Sequence, residues 1–143
     1  LTAETKANIN FVGFLDNEST ELRKLYESSK IFVFTSEAEN FPIVLLEAMI
    51  SGLAIITTND TGCVEVVGDG AILVNSKDSA AIKDALLKLV NDSDLCEKLG
   101  KIARERAEKL FGWATIANQH ARVYSQFNNT QVTAVKSASL TSN

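Results

Sequence analysis

Ile31-Phe32-Val33-Phe34 is an unbroken apolar run that ends in Thr35. A strand with one wet face alternates polar and apolar residues, whereas a continuous run suits a strand covered on both faces, as in a parallel sheet. Ala54 to Thr58 (AIITT) and Ala71 to Val74 (AILV) have the same character. Ile9 to Phe14 (INFVGF) is rich in β-branched and aromatic residues and closes on the turn residues Asp16 and Asn17, which predicts a further strand. Between these runs the spacing changes. Leu22, Leu25, Tyr26 and Ser29 recur at helical intervals, predicting an amphipathic helix over Glu18 to Ser28. A polar stretch, Ser36 to Asn40, leads into another helix that ends near Ser51-Gly52.

From Ser79 the pattern is helical throughout. Ser79 caps a first helix with the stripe Ile82, Ala85, Leu86, Leu89 and Val90. Asp92 or Ser93 caps a second, with Leu95, Leu99, Ile102, Ala103 and Leu110 inward. A third carries Trp113, Ile116, Ala117, His120, Val123, Tyr124 and Phe127. The order of elements predicts an α/β fold around a parallel sheet, whose ligands bind beyond the carboxyl ends of the strands. Residues 1–127 read as this domain. Residues 128–143, without aromatic or acidic side chains, read as a disordered tail.

A chain of 143 residues is one domain's worth of material. Its net charge of -4 argues against a nucleic-acid partner, which calls for clustered Lys and Arg. Arg104 and Arg106 sit among Glu97, Glu105 and Glu108, a run that reads as a solvated helix face. Cys63 and Cys96 have neither metal spacing nor the numbers for a disulfide framework. No apolar run reaches the ~20 residues that span a bilayer, and Leu1 to Asn10 has no signal-peptide layout. These features predict a cytoplasmic protein, and the absence of an initiator Met predicts a piece of something longer.

The segment after Ile31–Thr35 concentrates the chemistry. The amides of Ile43, Val44 and Leu45 open a helix without intrahelical acceptors, which makes an anion site. Pro42, lacking an N–H, suits the first helical turn. Glu39 stands at the mouth. Glu47 follows after seven residues, placing the two roughly 80° apart if both lie on the helix, at ~100° per residue. Ionised carboxylates accept strongly from hydroxyls, so the pair suits a sugar phosphate. The plainer reading is equally open at this point: the helix dipole alone favours a Glu there, and Glu47 can be an ordinary surface residue.

The string Ser36-Glu37-Ala38-Glu39-Asn40-Phe41-Pro42-Ile43-Val44-Leu45-Leu46-Glu47-Ala48-Met49-Ile50-Ser51-Gly52 resembles the donor-site signature of retaining glycosyltransferases with two Rossmann-like domains, the GT-B fold, in the group 1, family-four set. Asn8 to Phe14 with Leu25-Tyr26, Thr61-Gly62-Cys63-Val64-Glu65-Val66-Val67, and Phe111-Gly112-Trp113 with Tyr124 resemble the flanking segments, so the likeness covers about Ile9 to Tyr124. Asn40 and Pro42 stand where many relatives have Gly, Ala54 replaces a usual Pro, and Cys63-Val64 replaces a common Gly-Leu/Ile-Pro.

This resemblance implies a Rossmann-like C-terminal GT-B domain lacking its N-terminal part, and retaining hexosyl transfer from a nucleotide-diphosphate sugar. Glu39 then contacts the transferred sugar near its reacting carbon, and Glu47 binds the ribose hydroxyls. The amides of Asn40 and Phe41 face the sugar, those of Ile43 and Val44 the phosphates, and the strand end from Gly13 to Leu15 the base. Neither a cofactor nor a catalytic metal is implied, and Asp92 and Asp94 read as helix caps. A basic pair upstream would neutralise the phosphates. The acceptor, a glycan or a lipid-linked sugar, would bind an absent N-terminal domain, with the full-length enzyme cytoplasmic or peripheral at a membrane. The chain alone is expected to be inactive.

Other readings stand beside this one. The first is a non-catalytic nucleotide-sugar-binding module. A receiver-like signalling domain lacks its acidic cluster and late-strand Lys here. His120, Trp113 and Tyr124 share an apolar stripe and read as core or interdomain packing. Cys63 has no base beside it in sequence and reads as a small core filler. Lys77 and Asp78 read as a turn, though a turn placed where ligand can approach.

Overall fold

The computed structural model describes the backbone of residues 9–139 and the side chains of residues 9–127. In chain order the elements are α1 (Thr20–Ser28), β1 (Ile31–Phe34), α2 (Ile43–Ile50), β2 (Ala54–Thr58), α3 (Cys63–Val67), β3 (Ala71–Val74), α4 (Ser79–Asn91), α5 (Ser93–Phe111) and α6 (Trp113–Ser139). The strands pair in parallel in the order β1-β2-β3, with Ile31 opposite Ala54 and Ile55 opposite Ala71. The chain is thus α/β, with helices flanking a parallel sheet.

The whole of β2 is buried, and its side chains alternate between two apolar layers. Ile55 packs with Leu45, Ala48 and Met49 of α2, with Cys63, Val66 and Val67 of α3, and with Ala103 and Ala107 of α5. Ala54 and Ile56 face Val74 of β3 and Ala85 and Leu89 of α4. The strand's two polar residues are satisfied. The Thr57 hydroxyl donates to the Phe34 carbonyl at 2.7 Å, and the Thr58 hydroxyl shares a hydrogen bond with Thr61 at 3.0 Å. Cys63 is the buried filler that its neighbours predict.

Caps set the helix starts. Ser19 accepts from the Leu22 amide, Asp78 from Ala81 and Asp92 from Leu95. Asp78 therefore displaces Ser79 as the cap of α4, leaving Ser79 as its first residue.

Several elements depart from the sequence reading. Ile9 to Phe14 is not a strand, because it forms no ladder with a neighbour, and Phe11 and Phe14 are largely exposed. A short helix, α3, follows β2, where the sequence reading assigns no element. The last helix also continues through the composition change at Phe127, with no Pro or Gly before Ser139 to stop it; residues 140–143 of the expected tail lie outside the described residues. The stripe on α6 exists, but Trp113, His120 and Tyr124 on it are exposed rather than packed. His120 meets its helical neighbour Tyr124 edge-on, with ring centroids 6.4 Å apart. No helix among the described residues is long and apolar enough to cross a membrane.

Gly100 is the point where α5 meets the α2–β2 turn. A methyl group there would overlap the Gly52 carbonyl oxygen and lie 3.0 Å from its carbon, both backbone atoms that cannot swing aside. Helix propensity alone would make Gly100→Ala stabilising by ~1 kcal/mol. Overpacking costs typically ~1–3 kcal/mol, so a net destabilisation of up to about 2 kcal/mol is expected from the two together. Urea denaturation measures it, and a stabilised variant would contradict the tight helix–turn contact.

Candidate functional site

The loops that follow the three strands meet at one end of the sheet. The Gly62 amide, after β2, donates to the Glu39 carbonyl, after β1, at 2.8 Å. Lys77, after β3, reaches Glu37 at 3.2 Å. Between them is an open cleft of about 560 Å³ lined by Glu37, Glu39, Asn40, Phe41, Asp60 and Thr61. A second hollow of about 540 Å³ lies at the opposite end, among Lys30, Ile31, Gly52, Leu89, Val90 and Cys96, and gathers no comparable set of carboxylates.

Glu39 is held from three directions. Its carbonyl accepts from Gly62. The α-carbon of Gly62 is so close to the Glu39–Asn40 peptide that an added methyl would overlap the Asn40 carbonyl oxygen and lie 2.9 Å from that of Glu39. Phe41 packs edge-on against Phe111 at the end of α5, with ring centroids 5.5 Å apart. Thr61 fixes the other wall, since its hydroxyl oxygen accepts from the Cys63 amide at 3.2 Å. Glu39 thus sits at the strand-to-helix junction with the cleft in front of it, as its place in the sequence predicts.

The helix mouth differs in detail. Glu39 precedes α2 by four positions, so the roughly 80° separation from Glu47, which assumes ~100° per residue, does not apply. Pro42 is the N-cap rather than a residue of the first turn, and no side chain caps the helix. The Leu45 amide donates to the Pro42 carbonyl at 3.1 Å, which removes it from the anion site. The amides of Ile43 and Val44 remain as the two without an intrahelical acceptor.

Glu47 lies elsewhere. It lines a hollow of about 220 Å³ with Asn17, Arg23, Tyr26 and Ser51, and another of about 290 Å³ with Phe111 and Trp113. The two glutamates therefore flank α2 without sharing a cavity. Gly13, in the left-handed region at φ 78°, and Leu15 line none of these three hollows. Sequence reasoning missed Tyr26, whose phenol donates to a Glu47 carboxylate oxygen at 3.0 Å and which carries no local signal because it meets Glu47 only through tertiary packing. Asp60, in the cleft wall, was not singled out, although it follows the carboxyl end of β2 where ligands are expected. Asp78 is a cap, and Lys77 is ion-paired at the rim.

The chemistry divides accordingly. Glu37, Glu39 and Asp60 put carboxylates around the cleft, with Lys77 already engaged. Such a lining welcomes hydroxyl donors and repels bare phosphate, while the Ile43 and Val44 amides offer the complementary anion contact. Among the described residues no group of three or more His, Cys, Asp or Glu is placed to hold a metal.

Residues 1–106 match the family model "Glycosyl transferases group 1". The capsular polysaccharide biosynthesis glycosyltransferase CapM of Staphylococcus aureus is 34% identical over 104 residues, covering 71% of this chain and 27% of that protein. Among solved structures, a sucrose-phosphate synthase from Thermosynechococcus elongatus superposes with a TM-score of 0.78 at 30% identity, covering 89% of this chain and 32% of the other. HepE of Anabaena, solved with UDP, shares the fold, with a TM-score of 0.70 at 22% identity over 76% of this chain and 30% of its own. The chain spans 27–34% of the first curated relatives' length.

The Tyr26–Glu47 contact is measurable. Burial, then the hydrogen bond to Glu47 and its charge, push the Tyr26 phenol up to about 12. The folded protein thus disfavours the phenolate, and the resulting stability is complete below the ordinary tyrosine value of ~10 and lost as pH climbs from there toward the raised value. Absorbance titration should show Tyr26 ionising near 12. Glu47→Gln should lower that midpoint without fully normalising it, since burial is the largest cause. An unchanged midpoint would break the contact.

Proposed function

The chain belongs to the group 1 glycosyl transferases, and from that premise we propose that it carries the nucleotide-sugar donor site of a retaining, metal-independent glycosyltransferase. The observation that carries this reading is the placement of Glu39: at the β1–α2 junction, fixed by Gly62, in an acidic cleft beside an uncapped helix start. A hydroxyl-rich sugar suits the carboxylates, and a diphosphate suits the amides. The family membership supplies the reaction class that joins them.

In this reading the bond from the sugar's anomeric carbon to the diphosphate breaks. A new bond to an acceptor hydroxyl oxygen forms on the same face, the nucleoside diphosphate leaves with the electron pair, and the hydroxyl proton passes to the departing phosphate oxygen. Negative charge grows on the phosphate oxygen, where the Ile43 and Val44 amides stabilise it. Glu39 accepts from hydroxyls of the transferred hexose and orients its reacting carbon, with the Asn40 and Phe41 amides beside it. Glu47 gives one oxygen to Tyr26 and keeps the other for the ribose hydroxyls. The base lies toward Gly13 to Leu15. The acceptor, glycan or lipid-linked, meets the donor on a further domain, because two-substrate transfer needs both partners held together and shielded from water.

Calorimetric titration of this chain with UDP, ADP and GDP should show weak binding of at least one, without acceptor-dependent transfer from the corresponding sugar nucleotide. Glu47→Ala should weaken that binding by about 1.5–3 kcal/mol, the worth of a charged hydrogen bond. In a full-length enzyme Glu39→Ala should depress kcat while nucleotide affinity persists. Silence of the wild-type chain toward all three diphosphates would sink the donor-site reading.

A further inference from the structure

Arg106 is the residue whose surroundings depart furthest from its sequence context. It stands in a charged run on α5, yet it points away from the exposed face on which Arg104 pairs with Glu108 and Lys101 with Glu105. Its guanidinium reaches the end of α3 instead, where Nε donates to the Val66 carbonyl at 2.9 Å and Nη2 to the Glu65 carbonyl at 2.7 Å. It lies flat over Gly68, where a methyl group would come within 2.7 Å of its central carbon; Gly68 itself sits at φ 53°.

The carbonyls at the end of α3 can be accounted for one by one. Val64 accepts from the Gly68 amide at 3.0 Å and Val67 from the Gly70 amide at 3.1 Å. Glu65 and Val66 are the two that the backbone leaves, and Arg106 supplies both donors. A helix of only five residues has no stability of its own, because nucleation costs more than one turn returns. Its geometry is therefore set by tertiary contacts: the buried Cys63, Val66 and Val67 seat its inner face in the core, and its two ends are held separately. Arg106 holds one end. At the other stands Gly62, whose amide and α-carbon press on the Glu39–Asn40 peptide.

We propose that Arg106 is a positioning residue for Glu39, acting through the short helix α3 and Gly62. The clamp keeps α3 pushed toward the β1–α2 loop, so that the Gly62 contact fixes the Glu39 carbonyl and aims its side chain into the cleft. The functional consequence rests on the donor-site reading; the mechanical coupling does not. Arg106 has no hydrogen bond to the cleft lining; its influence passes through the carbonyls at the end of α3 and the Gly62 contacts at its start.

Amide hydrogen exchange followed by NMR on this chain tests the coupling directly. Arg106→Met keeps the apolar stem and removes the donors. It should lower protection of the Gly62 amide at least tenfold and shift the Glu39, Asn40 and Phe41 resonances, while Ile55 and Ile56 in β2 keep their protection. Arg106→Lys should recover part of the effect, and Arg104→Met should have none. Unchanged Gly62 protection in Arg106→Met would overturn the proposal, and so would a uniform loss extending to β2, which marks a merely global role. Titration with UDP, ADP and GDP, each beside its glucose conjugate, separates the two levels. If wild type binds none of them, the donor reading fails while the exchange result stands. If it prefers a sugar nucleotide over its diphosphate, Arg106→Met should erase that preference and leave the diphosphate affinity within about twofold.

Discussion

Everything at the functional end of the molecule depends on β2 being buried along its length and hydrogen-bonded on both sides. Its backbone is committed to β1 and β3, and its side chains to two separate apolar layers. Such a strand cannot slide by one residue without turning Ile55 and Ile56 into each other's layers. The loops at its carboxyl end inherit this rigidity. Thr58 passes it to Thr61 by a hydroxyl contact and Thr61 to the start of α3, while Gly62 carries it across to the loop after β1. Glu39 is therefore placed by a neighbouring strand's loop at least as much as by the helix it precedes.

The fold was legible in sequence where burial wrote itself into composition. The apolar runs 31–34, 54–58 and 71–74 became the strands, and Asp92 became a cap. The reading failed where the outcome depended on a partner distant in sequence. Ile9 to Phe14 has strand composition, but a strand exists only as part of a ladder, and no periodicity states whether a neighbour is in reach. Arg106 has the composition of a solvated face, yet the carbonyls it binds lie 40 and 41 residues away. His120, Trp113 and Tyr124 have the spacing of a packed stripe, and spacing gives no account of what stands opposite.

The site shows the same division. Glu39 was legible because a glutamate at a strand-to-helix junction is a local arrangement. The link to Gly62 was not, since only the tertiary approach of two loops reveals that a methyl group has no room. The expected helical angle between Glu39 and Glu47 failed for a simple reason: the first residue lies outside the helix whose geometry was used. Tyr26 went unassigned because its phenol meets Glu47 across 21 positions of sequence.

The distribution of charge bears on what this chain can do by itself. Three carboxylates line the cleft, and the lysine at its rim is paired with one of them. An exposed pair of that kind contributes little and exchanges readily with water, so it does not make a fixed cation. Hydroxyls are well served by such a surface. A departing diphosphate, with its concentrated negative charge, has only the amides of Ile43 and Val44, whose combined partial charge at a helix start is roughly half an elementary charge. On the donor reading, then, the chain supplies selectivity for the sugar and a hold on the ribose. On the same reading, the diphosphate's charge calls for a cation that the cleft lining does not hold free, since Lys77 is paired with Glu37.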